Sequence, residues 1–363
     1  MKKIKLFDPV IGISEEREII KILRSGFWAS GSGSGKVQEF EKKFSKYLNS
    51  DQCIAVNSGT AALNLALSLL DIKNKEVILP SLSFVATAHA VTLNGGKPVF
   101  ADVDSETLCI DPKQIMKLIT KKTAAILPVH FAGIACNLNE ISQLCQENNI
   151  KLIEDAAHAA GTKYDGRRIG SHGMAVCFSF HPVKNLGMPT GGLISINNTN
   201  HRKLKKILNE KRWCGITNRH EFTYDVKQVG WNYYMNEFSA GLGLIQLKKL
   251  DNLNRIRRNI AKRYYNEIEL DQKMPYIAGS SYHFYWILAK NRDKIMQKLK
   301  QNGIETGIHY KPIHEMSMYN TKNKLPITES VGKKIISLPT HPNLSENDVT
   351  RIISLVNKFI RMH

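Results

Sequence analysis

Short apolar runs of β type alternate with helix-forming segments along the first two thirds of the chain. This alternation limits the fold more than any other feature. Cys53–Val56 is such a run, and the helical stretch Thr60–Leu70 follows it. Val77–Leu79 stops at Pro80, with a helical stretch from Val85 to Leu93. Val99–Phe100, Ala125–Val129 and Leu152–Glu154 are further runs, the last two separated by a helix over Asn137–Asn148, and Val176–Phe180 and Leu193–Ile196 follow. Upstream, Ser14 reads as the N-cap of a helix carrying Ile19, Ile20 and Leu23 at helical spacing, with Gly26 just past its end. The pattern predicts an α/β fold with a mostly parallel central sheet covered by helices on both faces. In such sheets ligands lie at the carboxyl ends of the strands.

The texture changes near Lys248. A long basic helix to Leu270, an aromatic strand (His283–Leu288), a helix (Arg292–Asn302) and an amphipathic helix after Ser345 read as a smaller C-terminal α+β domain. The expected division is therefore 1–247 and 248–363, in line with roughly 100–200 residues per domain. GSGSG, at Gly31–Gly35, reads as a flexible loop.

Charge and cysteines narrow the class. Lys and Arg number 51 against 32 Asp and Glu, a net charge of +19. The basic residues gather in Arg202–Arg212, Lys248–Arg263 and Lys290–Lys300, each read as a helix with a solvated charged face. No helix-turn-helix, zinc-finger or aromatic RNA-binding signature accompanies them, so nucleic acid is not the expected partner. A cationic surface would instead concentrate phosphorylated substrates. None of the six cysteines forms a C-x-x-C pair, so no metal site is expected and a reducing compartment is. No apolar run approaches the ~18 residues of a membrane span, and the expected location is the cytoplasm.

Four segments just after predicted strands carry candidate chemistry, each with a plain structural alternative. In Asn57–Leu63 (NSGTAAL) a turn opens a helix whose N–H groups can bind an anion, and Gly59 lets a phosphate come close; ordinary helix capping is the alternative. In Ile153–Gly161 (IEDAAHAAG), Asp155 is a buried carboxylate that needs a partner. A protonated pyridine nitrogen would serve, attracted by about 4 kcal/mol at ~4 Å and an effective dielectric of ~20. His158 can touch a ring oxygen, or can be a packed core histidine. In Ser179–Gly187 (SFHPVKNLG), Lys184 can form a Schiff base with an aldehyde cofactor and Ser179 can hold its phosphate, whereas a surface lysine is the default. Gly230–Leu247 is an aromatic turn entering an apolar helix, read as core or subunit contact.

The ordered set SGTAAL, PSLSFVATAHAV, EDAAHA, SFHPVKNLG, GG, WNYYMNE and HYKP resembles the DegT/DnrJ/StrS family of pyridoxal-phosphate sugar aminotransferases, from Phe7–Gly12 to Ser337–Ser345. The resemblance implies the aspartate-aminotransferase fold, with a large domain that binds pyridoxal 5′-phosphate and pyridoxamine 5′-phosphate as the intermediate cofactor form. It makes Lys184 the Schiff-base lysine, Asp155 the partner of the pyridinium nitrogen and His158 the neighbour of the phenolic oxygen. Gly59, Thr60 and Ser179 become phosphate contacts and Phe84 the aromatic on the ring. Asn232 becomes the asparagine that a neighbouring subunit donates to the phosphate, which implies a homodimer with shared active sites. Trp28, His309 and Tyr310 are the candidate sugar-side contacts.

Two departures bear on the substrate. The run after the lysine is MPTGG, so Pro189 and Thr190 replace the usual acidic residue and glycine, and Tyr234 stands where arginine is common. Tyrosine cannot give bidentate anion recognition. The implied reaction moves an amino group from glutamate to a keto sugar on a nucleotide carrier, as in deoxyamino-sugar and polysaccharide biosynthesis. An aminocyclitol acceptor stays open. A sugar dehydrase on the same fold would replace the lysine with histidine. A basic regulatory or nucleic-acid-binding homologue would have no use for Lys184, Asp155 and Ser179 together.

Overall fold

The computed structural model describes residues 3–321 and 323–362. Its strands are β1 (Gln52–Val56), β2 (Glu76–Pro80), β3 (Lys97–Ala101), β4 (Thr123–Ile126), β5 (Lys151–Asp155), the short β6 (Lys163–Tyr164) and β7 (Arg167–Arg168), β8 (Ala175–Ser179), β9 (Gly192–Ile196), β10 (Ile216–His220), β11 (Thr223–Val226), β12 (Tyr285–Leu288) and β13 (Ile335–Leu338). Seven of them form the central sheet in the order β1-β9-β8-β5-β4-β2-β3. Every pairing from β8 through β3 is parallel, and β9 runs antiparallel between β1 and β8. The expected α/β architecture with a mostly parallel sheet is present.

The strands are apolar because both faces of the sheet are covered. Along β1, Cys53 and Ala55 join one core cluster and Ile54 and Val56 the other; Ile78 is separated from Val77 and Leu79 in the same way along β2. The same alternation divides Glu154 from Asp155. Glu154 points into the core, where His130 Nε2 lies 2.8 Å from its carboxylate, and Asp155 points to the opposite face.

Helices α1 (Ile13–Ser25), α2 (Lys36–Leu48), α3 (Gly59–Leu67), α4 (Ala86–Leu93), α5 (Pro112–Leu118), α6 (Leu138–Glu147) and α7 (His201–Arg212) accompany this sheet. The long helix α8 (Glu237–Glu267) runs through 247/248 without a break. Beyond it, the antiparallel pair β12–β13 packs with α9 (Arg292–Gln301), α10 (Pro326–Lys334) and α11 (Glu346–Arg361). The N-terminal segment joins this part: Ile4 N donates to Gly303 O at 2.8 Å. Among the described residues no helix is long and apolar enough to cross a membrane.

Several local details differ from expectation. Helix α1 starts at Ile13 and not after Ser14, because the Glu15 carboxylate accepts the Gly12 N–H at 3.1 Å and fixes the cap there. Helix α8 starts at Glu237, eleven residues before the expected basic helix, since Asn236 Oδ1 accepts the Ser239 N–H at 2.8 Å. Glu237 also accepts the Lys36 N–H at 2.8 Å and so caps α2. The aromatic strand begins at Tyr285, two residues late, because the His283 N–H leaves the pair to donate to Ala132 O at 2.9 Å.

Gly31–Gly35 is not a free loop. Arg212 Nη2 donates to Ser32 O at 3.0 Å, and Gly33, at φ +73°, lies so close to the guanidinium that a Cβ would sit 2.0 Å from it. Arg212 itself is buried, 2.6 Å from Glu41 Oε1 and 2.9 Å from Ala55 O, tying α2, α7 and β1 together. Removing one member leaves a buried charge uncompensated, whereas replacing both with apolar side chains removes the desolvation penalty as well. Glu41→Ala should cost about 3–5 kcal/mol. The double variant Glu41→Leu with Arg212→Met should cost clearly less than the sum of its single changes. Denaturant midpoints of wild type, the three single variants and the double variant check this.

Candidate active site

The register of the sheet brings four chain segments to one edge. Val56 and Ser179 both pair with Gly192, and Asp155 pairs with Cys177 two residues before Ser179. The carboxyl ends of β1, β5 and β8 therefore converge, and a cavity of about 340 Å³ opens there. Nine predicted site residues line it. Gly59, Thr60, Phe84, Asp155, His158, Ser179 and Lys184 come from the sheet side, and His309 and Tyr310 come from beyond α8.

Close packing sets the phosphate-sized end. Ser58 caps α3, its Oγ accepting the Ala61 N–H at 3.1 Å. The N–H groups of Gly59 and Thr60, at the start of the helix, have no intrahelical acceptor. Gly59 lies against Ser179, where a Cβ would fall 2.7 Å from the serine Cβ. Only glycine lets the helix start and the end of β8 come this near.

Asp155 is buried, and its carboxylate accepts the Thr87 hydroxyl at 2.9 Å and the Ala157 N–H at 3.1 Å. Burial pushes its pKa up, while these two hydrogen bonds and the charge of Lys184 pull it down. Lys184 follows β8 in a turn closed by its N–H on His181 O at 2.8 Å. Among the described residues its half-buried amine has no carboxylate in bonding range, and its one hydrogen-bond partner is His283 Nε2 at 3.5 Å. Desolvation lowers its pKa to about 8, with the charge of Asp155 acting in the opposite direction.

His158 is buried beneath the cavity. Its Nδ1 accepts the Ala132 N–H at 3.3 Å, so the neutral ring carries its proton on Nε2. That nitrogen lies 3.0 Å from the Tyr310 hydroxyl. Burial, with Lys184 and His309 nearby, holds the ring well below the ordinary histidine range and therefore neutral. His309 Nδ1 lies 2.8 Å from Ser337 Oγ. Phe84 stands exposed at the mouth, 6.0 Å from the Tyr310 ring.

Trp28 and Asn232 lie outside this cavity. Trp28 is half exposed and bonds Leu23 O through Nε1 at 3.2 Å. Asn232 is exposed on the aromatic turn, where its carbonyl accepts from Asn57 Nδ2 at 3.2 Å. Thr190 lines the cavity, its hydroxyl donating to Asn57 O, and Tyr234 forms a β-bridge with Val56. Sequence reading missed Thr87 and His283. Thr87 lies three residues past Phe84, one helical turn on. A histidine breaking the apolar run Ser281–Leu288 was the visible signal for His283.

Fold and cavity together are those of an aminotransferase. The chain belongs to the DegT/DnrJ/EryC1/StrS aminotransferase family, whose model matches residues 9–357. An uncharacterized protein of Methanocaldococcus jannaschii, MJ1066, is 34% identical over 98% of this chain and 97% of its own length. Helicobacter pylori PseC, an aminotransferase involved in the biosynthesis of pseudoaminic acid, superposes with a TM-score of 0.94 at 28% identity, covering 100% of both chains. The PLP form of Spr1654 from Streptococcus pneumoniae, assigned as a sugar aminotransferase, gives a TM-score of 0.93 at 27% identity over 99% of each chain.

Lys184 should be an unusually reactive amine. Below about pH 8 it is protonated and inert, and above that it is free, whereas a solvated lysine waits until near 10.5. Competitive acetylation of the apoprotein, read by peptide mass spectrometry, should place the midpoint for the Lys184 peptide near 8 and those of surface lysines well above it.

Proposed function

We propose that this chain is a pyridoxal-phosphate aminotransferase that takes an amino group from glutamate and gives it to a keto sugar carried on a nucleotide. The observation that carries the reading is one cavity holding a buried carboxylate, Asp155, and a free amine, Lys184, that are not bonded to each other. A structural ion pair would close that gap. A flat, partly cationic ring between the two groups fits it, and the small lining residues Ala86 and Ala157 leave room for one. PseC and the PLP and PMP forms of Spr1654 support a sugar substrate and this cofactor.

Bound pyridoxal 5′-phosphate supplies an aldehyde that accepts the amino group and a ring that draws electron density from the reacting carbon. The protein does the rest. Asp155 would hold the ring nitrogen protonated. The Nε2–H of His158 would be the donor for a ring oxygen. Gly59, Thr60 and Ser179 would hold the phosphate through backbone N–H groups and hydroxyls. The free amine of Lys184 would take a proton from the substrate carbon and, as the ammonium, return it. Its lowered pKa suits both roles near neutrality. His309 and Tyr310, which line the cavity, would contact the sugar side.

Lys184 is the one lysine or arginine lining this cavity among the described residues. Anionic substrates therefore need cations from outside it, which favours a homodimer whose partner lends Asn232 and basic residues. We infer a large cofactor-binding unit over 1–247 and a smaller one over 248–363, with α8 as their common beam, and a cytoplasmic setting. Nothing in this reading calls for a metal, nucleic acid or a membrane.

Reconstituted protein should show a visible absorbance band that Lys184→Ala removes together with glutamate turnover. Asp155→Asn should keep the band and lower the rate roughly 10³-fold, since about 4 kcal/mol of ring attraction is lost. A band that survives Lys184→Ala would refute the assignment. Screening keto-sugar nucleotides against glutamate, with the product identified by mass, tests the acceptor.

A further inference from the structure

A chain of side-chain amides ends on Lys184, and its direction is fixed from the far end. Asn254 Nδ2 donates to Ala160 O at 2.9 Å, and a backbone carbonyl can only accept. Asn254 Oδ1 therefore faces Asn185, whose Nδ2 donates to it at 2.9 Å and to Ser281 O at 2.9 Å. Both anchors turn Asn185 Oδ1 toward His283 Nδ1, 3.2 Å away. An amide oxygen cannot donate, so His283 carries its proton on Nδ1. In the neutral ring Nε2 is then a bare lone pair, and it lies 3.5 Å from Lys184 Nζ.

The surroundings keep that ring neutral and still. His283 is buried, and the charged or titratable groups around it are Lys184, His158, Arg257 of α8 and His309. All four act against a second proton. Phe7 stacks on one side at 5.0 Å and 18°, and His158 lies at 4.8 Å and 31°.

We propose that His283 is a positioning residue for Lys184, its unprotonated Nε2 being the acceptor on which the free amine rests between taking and giving protons. The role presupposes the aminotransferase reading, but the contact belongs to the chain alone and can be measured without cofactor. An acceptor binds an ammonium more strongly than an amine. In the apoprotein, His283→Phe should therefore lower the apparent pKa of Lys184, followed by competitive acetylation, by about one unit. His283→Gln, which keeps an acceptor, should restore most of that shift. Identical titrations in wild type and His283→Phe would overturn the proposal.

If the phenylalanine variant does not fold, nitrogen-15 NMR of histidine-labelled wild-type apoprotein decides. A proton on Nδ1 and none on Nε2 of His283 supports the assignment, and the reverse tautomer ends it. Failure of the aminotransferase reading shows up elsewhere, as a missing visible band in reconstituted protein whose apoprotein titrations still differ.

Discussion

Asp155 and Lys184 are two opposite charges facing one cavity without a bond between them. Each bears the cost of partial desolvation, and neither has a charged partner in hydrogen-bonding range among the described residues. Such an arrangement persists only if surrounding structure holds the groups apart. Thr87 and the Ala157 N–H hold the carboxylate, and the Asn254–Asn185–His283 chain receives the amine. The rest of the fold can be read as the frame that keeps this gap open.

The frame works through register. Because β9 runs back between β1 and β8, Gly192 pairs with both Val56 and Ser179, so the phosphate-sized turn and the lysine loop leave from neighbouring points. Glycine is required at this junction. A Cβ on Gly192 would meet Ser58 O at 2.2 Å, just as one on Gly59 would strike Ser179. The buried pair Arg212–Glu41 braces the same edge from behind, linking the helix after β9 to the helix before β1.

Much of this was legible in the sequence because strand ends and motif residues are local. Asp155, Ser179 and Lys184 lie within a few residues of apolar runs, and the alternating side-chain direction of a strand puts Asp155 on the face opposite Glu154. The alternation of strands and helices likewise gave the architecture. What was not legible depends on distant partners. His283 matters because Asn185, 98 residues away, turns its ring. Gly31–Gly35 read as flexible because nothing local shows that Arg212, some 180 residues on, would hold it. The starts of α1 and α8 shifted because side-chain caps at Glu15 and Asn236 outweighed the hydrophobic pattern.

The central claim is that the Lys184 amine makes the covalent link to the cofactor. Borohydride reduction of reconstituted protein, followed by proteolysis and mass spectrometry, tests it most directly. The account predicts one reduced phosphopyridoxyl adduct, on the peptide carrying Lys184. An adduct on another lysine, or none at all, would contradict it.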